Sequence, residues 1–232
     1  MIVTKDKLLL LWPATKGYGL EMGDVCNSIL INTDFSIYLE FKVSKNELYN
    51  NEPIFIISKL PKWFSISIDK ISDKFQLFTF LNVNGSDIRY AYPFGFEFHK
   101  TYELLIQYDS ATGILYEIIN GTKFALKIKS DILKETIDEN SHILLGSGGF
   151  DYIKNYDIDF TFLALSKSIN TKLDFYTIKD AYVNHLNQYN EYTHSNKYSL
   201  LGLYDFKEKT DFSIFDYTGN NNHLYIKDIE NE

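Results

Sequence analysis

The chain has 232 residues, of which 45% are hydrophobic and 16% aromatic, so it can bury a large core and is not a disordered protein. Its formal net charge is −8, and its single arginine is Arg89. This balance argues against nucleic acid or an anionic membrane as the main partner, because both need clustered Lys and Arg. The one cysteine, Cys26, excludes a framework of intrachain disulfide bonds.

The N-terminal region contains no recognisable export signal. Its apolar run at 8–11 is too short for a signal-peptide core and ends at Trp12 and Pro13. No stretch of the sequence has the length of a membrane span. We therefore expect a cytoplasmic protein or, alternatively, a component of a virion or another extracellular assembly.

Strand-type alternation recurs along the chain. Residues 35–43 alternate apolar and polar side chains, which predicts a half-buried strand. The same period of two returns at 64–69, 124–128 and 158–162. Further strand candidates lie at 53–59, 74–82, 102–108, 113–119, 142–146 and 199–206.

Turn signals separate these segments. Asn84-Gly85 and Asn120-Gly121 are pairs favoured where both central residues of a hairpin turn have positive φ. Both pairs also begin N-glycosylation sequons, but without an export signal we interpret them as turns. Ten or so short strands with regular turns predict an all-β sandwich or barrel.

The segment 173–188 has helical periodicity instead. Its apolar residues fall three or four positions apart, on one face of an amphipathic helix. They are Phe175, Ile178, Tyr182 and Leu186. Asn170 or Thr171 can cap the start of this helix.

The order of the segments resembles that of concanavalin-A-like, laminin-G-like jelly rolls. Residues 34–42 resemble the family's opening "dFTIeaWfK" strand, and 100–121 resemble its central pair of hairpin strands, with Tyr102 in place of the usual Trp. The segment from Asp216 to His223 resembles the "DySGNgnHg" signature, which usually lies near a domain's start. Further matches lie at 56–59, 142–146, 157–166 and 200–206.

The resemblance covers residues 17–226 and implies an antiparallel, two-sheet β-sandwich of the jelly-roll type. We expect one domain, 1–232, with one short helix near 173–188. The C-terminal segment 198–226 is expected to close the sandwich, because as the start of a truncated second copy it would expose large apolar side chains.

Glycoside hydrolases on this fold need two carboxylates about 5–9 Å apart. A strand carrying Glu-x-Asp-x-x-Glu would supply them on one face, and the sequence contains none. Asp157 and Asp159 come nearest, but no Glu follows in the required position. We therefore predict that the chain is not an enzyme, with a glycosidase as the least favoured function.

Calcium is a possible cofactor, since many domains of the family bind it. Calcium takes six to eight oxygen ligands. The segment after Phe215 is the densest source of them, and Asp216, Asn220 and Asn222 are the candidate metal ligands. The alternative is a polar turn in which the Asn side chains bond their own backbone.

Sugar binding needs exposed aromatic rings with polar groups around them. Trp63 at a strand start is one candidate. Arg89, Tyr90 and Tyr92 are others, in a segment, 89–95, that is expected to be a long loop between strands. The alternative is that these rings belong to the core.

The predicted function is that of a non-catalytic, lectin-like carbohydrate-binding or adhesion module, whose partner is a glycan or cell-surface polysaccharide. The alternative is a structural virion component, such as a phage head decoration, fibre or tail protein. Such a protein would contact other subunits of a larger assembly. A fold resemblance alone does not decide between them.

Overall fold

The computed structural model describes the greater part of the chain. The described residues are 2–3, 19–21, 33–45, 53–60, 64–83, 86–127, 142–146, 156–184, 196–206, 213–220 and 222–227. They form antiparallel strands and short helical segments, and none of these helices is long and apolar enough to cross a bilayer.

The strands are numbered in chain order. They are β1 (Ile2–Val3), β2 (Gly19–Glu21), β3 (Phe35–Lys45), β4 (Ile54–Leu60), β5 (Phe64–Ile71), β6 (Lys74–Val83), β7 (Ser86–Gly95), β8 (Thr101–Asp109), β9 (Ile114–Ile119), β10 (Thr122–Lys127), β11 (His142–Leu145), β12 (Tyr156–Ser166), β13 (Leu200–Asp205), β14 (Ser213–Ile214) and β15 (Leu224–Lys227).

The strands form two sheets. Sheet A has the order β1-β12-β3-β8-β9-β10, with β13 also paired to β12. Sheet B has the order β14-β15-β2-β11-β4-β5-β6-β7. Every strand pair is antiparallel, which confirms the predicted antiparallel two-sheet β-sandwich.

The core lies between the sheets and follows the alternation seen in the sequence. On β3 the inward residues are fully buried: Phe35, Ile37, Leu39, Phe41 and Val43. Ile66 and Ile68 of β5 meet them from sheet B. Because successive side chains of a strand point to opposite faces, the polar residues between them lie on the outer faces of the two sheets.

The Asn120-Gly121 turn forms as the sequence predicts. Ile119 pairs with Thr122, and the two residues between them have φ of 47° and 83°. Positive φ at both positions is what a tight hairpin turn needs, so Asn and Gly are suited to it. Asn84 and Gly85 lie outside the described residues.

The predicted helix is present in the described residues. The helix α1 (Lys172–Lys179) continues as a π-helical turn, Asp180–Asn184, and 185–188 lie outside the described residues. Thr171 begins it with a capping box, accepting a hydrogen bond from the backbone of Asp174. Its buried face, Phe175 and Ile178, packs on the outer face of sheet A.

The C-terminal part supplies strands to both sheets. β13 pairs with β12 in sheet A, whereas β15 pairs with β2 in sheet B. These pairings place both ends of the segment 198–226 in the sandwich. The assignment of 1–232 to one domain stays a prediction.

The segment 89–95 is a strand, and the predicted loop is wrong. It belongs to β7, the edge strand of sheet B, which pairs with β6 along most of its length. Pro93 lacks a backbone N–H, and it lies where the register with β6 shifts, between Gln76 and Phe78. An edge strand with a bulge tolerates proline for this reason.

Candidate functional site

Arg89 occupies the outer face of sheet B. The strand register places it in one row with Ser65 and Phe80, on the face opposite the core. Its Nη2 donates to Oδ2 of Asp69 on β5. The guanidinium carbon also lies 4.1 Å from the centroid of the Phe78 ring. The arginine therefore reaches across one strand, β6, and is held by a carboxylate and an aromatic face.

Asp69 has an unusual environment for a carboxylate. Its side chain is 14% exposed, and among the described residues its Oδ1 is a buried oxygen with no hydrogen-bond partner. Burial raises the pKa of Asp69, although Arg89 and Ser67 act in the opposite direction. An unsatisfied buried acceptor costs about 1–3 kcal/mol, and a ligand hydroxyl is one group that can satisfy it.

Arg89 keeps donors available for a ligand. A guanidinium has five N–H donors, and the contact with Asp69 uses its Nη2 group. The side chain is 49% exposed, so water or a ligand can reach the remaining donors. A free donor group beside an unsatisfied acceptor defines the candidate site, which we call the Arg89 face: Asp69, Phe78 and Arg89.

The structure separates the residues that the sequence grouped with Arg89. Tyr92 is 0% exposed and lies in the core, where its ring meets Phe124 edge-on at 4.6 Å. Tyr90 is half-buried and packs against the same core. The expectation that Tyr92 contacts a sugar is therefore wrong, and Trp63 lies outside the described residues.

The strand geometry explains this separation. In a strand, residues at odd and even positions point to opposite faces. Arg89 consequently points outward, whereas Tyr90 and Tyr92 point inward, and all three cannot form one surface. The alternation of aromatic residues at 90, 92 and 94 was the sequence signal that could have shown this.

The predicted calcium ligand Asp216 is a structural residue of a turn. Its carboxylate accepts hydrogen bonds from the backbone N–H groups of Leu203 (3.1 Å), Thr218 (3.0 Å) and Asn222 (3.0 Å). The Thr218 hydroxyl donates to it as well, at 2.7 and 2.8 Å from its two oxygens. Four donors fill the four or so lone-pair positions of a carboxylate.

The two asparagines also bind the backbone. Asn220 Nδ2 donates to the carbonyl of Leu200 at 3.0 Å, and Asn222 Nδ2 donates to that of Leu201 at 2.6 Å. The carboxylate of Asp216 is thus used to fix this turn against β13, which favours the polar turn over a calcium ligand at this residue. Calcium binding through the Oδ1 atoms of Asn220 and Asn222 stays a prediction. No cluster of three or more His, Cys, Asp or Glu side chains suited to a metal occurs in the described residues.

Two glutamates form a carboxylate pair on the outer face of sheet A. Glu40 of β3 and Glu103 of β8 are direct cross-strand partners. Side chains so placed have Cβ atoms about 4.5–5.5 Å apart. Glu40 accepts from the Tyr38 hydroxyl at 2.7 Å and from Lys179 Nζ at 2.6 Å. The sequence motif considered above lies within one strand. It cannot detect two carboxylates that become neighbours through the pairing of two different strands.

Helix α1 supplies the partners of Glu103. Lys172 Nζ and the Tyr176 hydroxyl both donate to this carboxylate, the latter at 2.7 Å. Burial alone raises the pKa of Glu103, but these hydrogen bonds outweigh it and hold the pKa below its ordinary value. The pair is thus neutralised by the helix and fixes the helix to the sheet.

Comparisons with known proteins bear on the fold. No family model and no curated protein matches the chain. Among solved structures, an alginate lyase from Pseudomonas aeruginosa is 10% identical with a TM-score of 0.46, over 60% of this chain and 66% of the lyase. A heptameric SAP-like pentraxin from Limulus polyphemus is 15% identical with a TM-score of 0.46, over 69% of this chain and 74% of the pentraxin.

A third similar structure is the binding domain of botulinum neurotoxin serotype D, 17% identical with a TM-score of 0.49, over 66% of this chain and 38% of that one. The fold is a concanavalin-A-like jelly roll. The chain spans just under two thirds of the lyase and little more than a third of the toxin domain. With TM-scores below 0.5 and identities of 10–17%, these similarities assign no family and no function to the chain.

The comparisons correct one prediction. Several of the similar structures are alginate lyases, one of them a family 7 lyase in complex with its substrate. This finding contradicts the prediction that the chain is not an enzyme, because that prediction rested on the missing carboxylate motif of glycoside hydrolases and did not consider lyases. The search for a carboxylate pair was also incomplete, as Glu40 and Glu103 show. The similarity itself assigns no reaction to this chain.

Proposed function

We propose that the chain is a lectin-like, carbohydrate-binding protein and that it contacts glycans through the Arg89 face. One observation carries the proposal: the half-exposed guanidinium of Arg89 lies beside the buried, unsatisfied Oδ1 of Asp69. A sugar hydroxyl both donates and accepts a hydrogen bond. Adjacent hydroxyls of a sugar ring can therefore accept from Arg89 and, once the guanidinium moves aside, donate to the carboxylate of Asp69.

The aromatic ring beneath the guanidinium supports the same chemistry. Phe78 is 2% exposed, and the guanidinium carbon of Arg89 lies 4.1 Å from the centroid of its ring. If a sugar hydroxyl accepts a hydrogen bond from the guanidinium and draws it away from the ring, the Phe78 ring offers an apolar surface to the C–H groups of the sugar. The outer face of sheet A carries helix α1, so the two outer faces of the sandwich differ in what they offer a ligand.

The proposal is tested with a glycan array, followed by calorimetry on the glycans that bind. We expect binding by the wild type and at least a tenfold loss of affinity in Arg89→Ala, because each tenfold loss corresponds to about 1.4 kcal/mol, the scale of one charge-assisted hydrogen bond. Asp69→Asn keeps the size of the side chain and should weaken binding less.

The matched control is Lys123→Ala. Lys123 also holds a cation over an aromatic ring, with Nζ 3.7 Å from the centroid of Tyr116, but it lies on sheet A. Its removal should leave glycan affinity unchanged. Binding of no glycan by the wild type, or equal losses in Arg89→Ala and Lys123→Ala, would count against the proposal.

The same polysaccharides are incubated with the protein and examined for chain cleavage. Cleavage that depends on Arg89 would make the bound glycan a substrate, whereas unchanged chains would make it a ligand only. A role as a virion or adhesion component stays a prediction, which proteomics of purified virions would test.

A further inference from the structure

Three side chains connect the two sheets inside the core. Glu117 on β9 belongs to sheet A and is 1% exposed. Thr79 on β6 and Tyr92 on β7 belong to sheet B. The Thr79 hydroxyl lies 2.8 and 2.7 Å from the two carboxylate oxygens of Glu117 and 3.0 Å from the Tyr92 hydroxyl. We call these three residues the inter-sheet bridge.

Glu117 has no charged partner among the described residues. Its cross-strand neighbours are Ile106 on β8 and Phe124 on β10. The titratable side chains on the inward faces of the strands packed around it are all tyrosines: Tyr90, Tyr92, Tyr102 and Tyr108. By the alternation along each strand, the charged side chains nearby point outward: Arg89, Glu103, Asp109 and Lys123.

The hydrogens of the bridge can be counted for each charge state. With Glu117 ionised, the Tyr92 hydroxyl donates to Thr79 and the Thr79 hydroxyl donates to one carboxylate oxygen. The other oxygen then has no donor within the bridge. With Glu117 protonated, its own O–H donates to Thr79, and no uncompensated charge stays in the core. A buried unpaired charge is costly, so the protonated form fits this environment better.

We propose that the inter-sheet bridge is a proton-dependent fastening between the two sheets. When Glu117 is protonated, the β9–β10 and β6–β7 hairpins are held together, and ionisation of Glu117 loosens that edge of the sandwich. Burial raises the pKa of Glu117 to about 7, and the hydrogen bond from Thr79 moderates this rise. The loosening therefore falls near neutral pH.

The direction of the effect follows from linkage. The folded-state pKa of about 7 is above the ordinary value of 4.5, so protonation stabilises the closed form. This stabilisation is complete below pH 4.5 and is lost as the pH rises to about 7. Across that pH range the equilibrium constant for opening should rise about tenfold per pH unit, and at higher pH it should stay constant.

Hydrogen exchange of the backbone amides measures the opening, after correction for the intrinsic pH dependence of exchange. In the wild type we expect protection of β6, β7, β9 and β10 to fall with pH across this window. Glutamine has the shape of glutamate but does not titrate, so in Glu117→Gln the protection of these strands should not change with pH. Glu97→Gln is the matched control, since Glu97 is an exposed carboxylate paired with Lys100, and it should behave as the wild type.

The same profile in the wild type and Glu117→Gln would overturn the inference. If Glu117→Gln does not fold, the carboxyl carbon of Glu117 can be followed by NMR in the wild type and in Thr79→Val. A titration near 4.5 would also overturn it, whereas we expect one near 7 that moves higher in Thr79→Val. None of these measurements needs a glycan, so their outcome is independent of the proposed function.

Discussion

The turn at Asp216 gives a sharp prediction about stability. Asp216→Ala removes the acceptor shared by four donors, while the backbone of the turn can stay in place. Three of those donors are the backbone N–H groups of Leu203, Thr218 and Asn222, whose residues are 0%, 4% and 3% exposed. Water cannot readily replace the lost carboxylate at these three positions.

The magnitude follows from those three groups. A buried N–H left without a partner costs about 1–3 kcal/mol, so three of them cost about 3–9 kcal/mol. The Thr218 hydroxyl adds little, because it already lies 3.5 Å from the carbonyl of Leu201 and can rotate towards it. A loss of this size is a large part of the 5–15 kcal/mol that is typical of a domain.

Urea unfolding of the wild type, Asp216→Ala and Asp216→Asn measures the effect. Asp216→Asn keeps one acceptor oxygen and should lose roughly half as much. We also expect the melting temperature of the wild type to be the same with calcium and with a chelator, because the carboxylate is fully used. A loss below about 1 kcal/mol in Asp216→Ala, or a rise in melting temperature with calcium, would refute the reasoning.

Two further substitutions, each compared with a control substitution, test the fold. Lys179→Met removes the partner of the buried Glu40 carboxylate and should cost about 1–3 kcal/mol, less than for a fully buried pair, since Lys179 is a third exposed. Thermal unfolding measures this loss. The control is Lys42→Met, which breaks the more exposed pair of Lys42 with Asp159 and should cost under about 1 kcal/mol. Gly202→Ala would place a Cβ 2.5–2.8 Å from the buried Tyr204 ring and should cost about 1–3 kcal/mol or more in urea unfolding. Gly121→Ala, at a φ of +83° in open space, should cost only about 1 kcal/mol, and a larger loss than in Gly202→Ala would contradict both assignments.

Local sequence patterns predicted most of the fold. The alternation at 35–43 and the Asn120-Gly121 turn depend on neighbouring residues only, so period and turn chemistry were enough to identify them. Strand β7 was missed because Pro93 and Gly95 are residues typical of turns and loops. Its place at the edge of a sheet, where proline is tolerated, is a tertiary property that the sequence does not display.

The candidate sites depend on register, and register was not predicted. Asp69 and Arg89 come together only because β5, β6 and β7 lie side by side. Glu40 and Glu103 are 63 positions apart and become neighbours through the pairing of β3 with β8. The sequence did supply Arg89 itself, because a single arginine in an acidic chain stands out.

The most direct test of the central claim is to locate the bound glycan. The isotope-labelled protein is titrated with an oligosaccharide selected on the array, and the shifts of its backbone amides are followed by NMR. The account predicts the largest changes on β5, β6 and β7, around Asp69, Phe78 and Arg89. Changes confined to helix α1 and the outer face of sheet A, with none on these three strands, would contradict it.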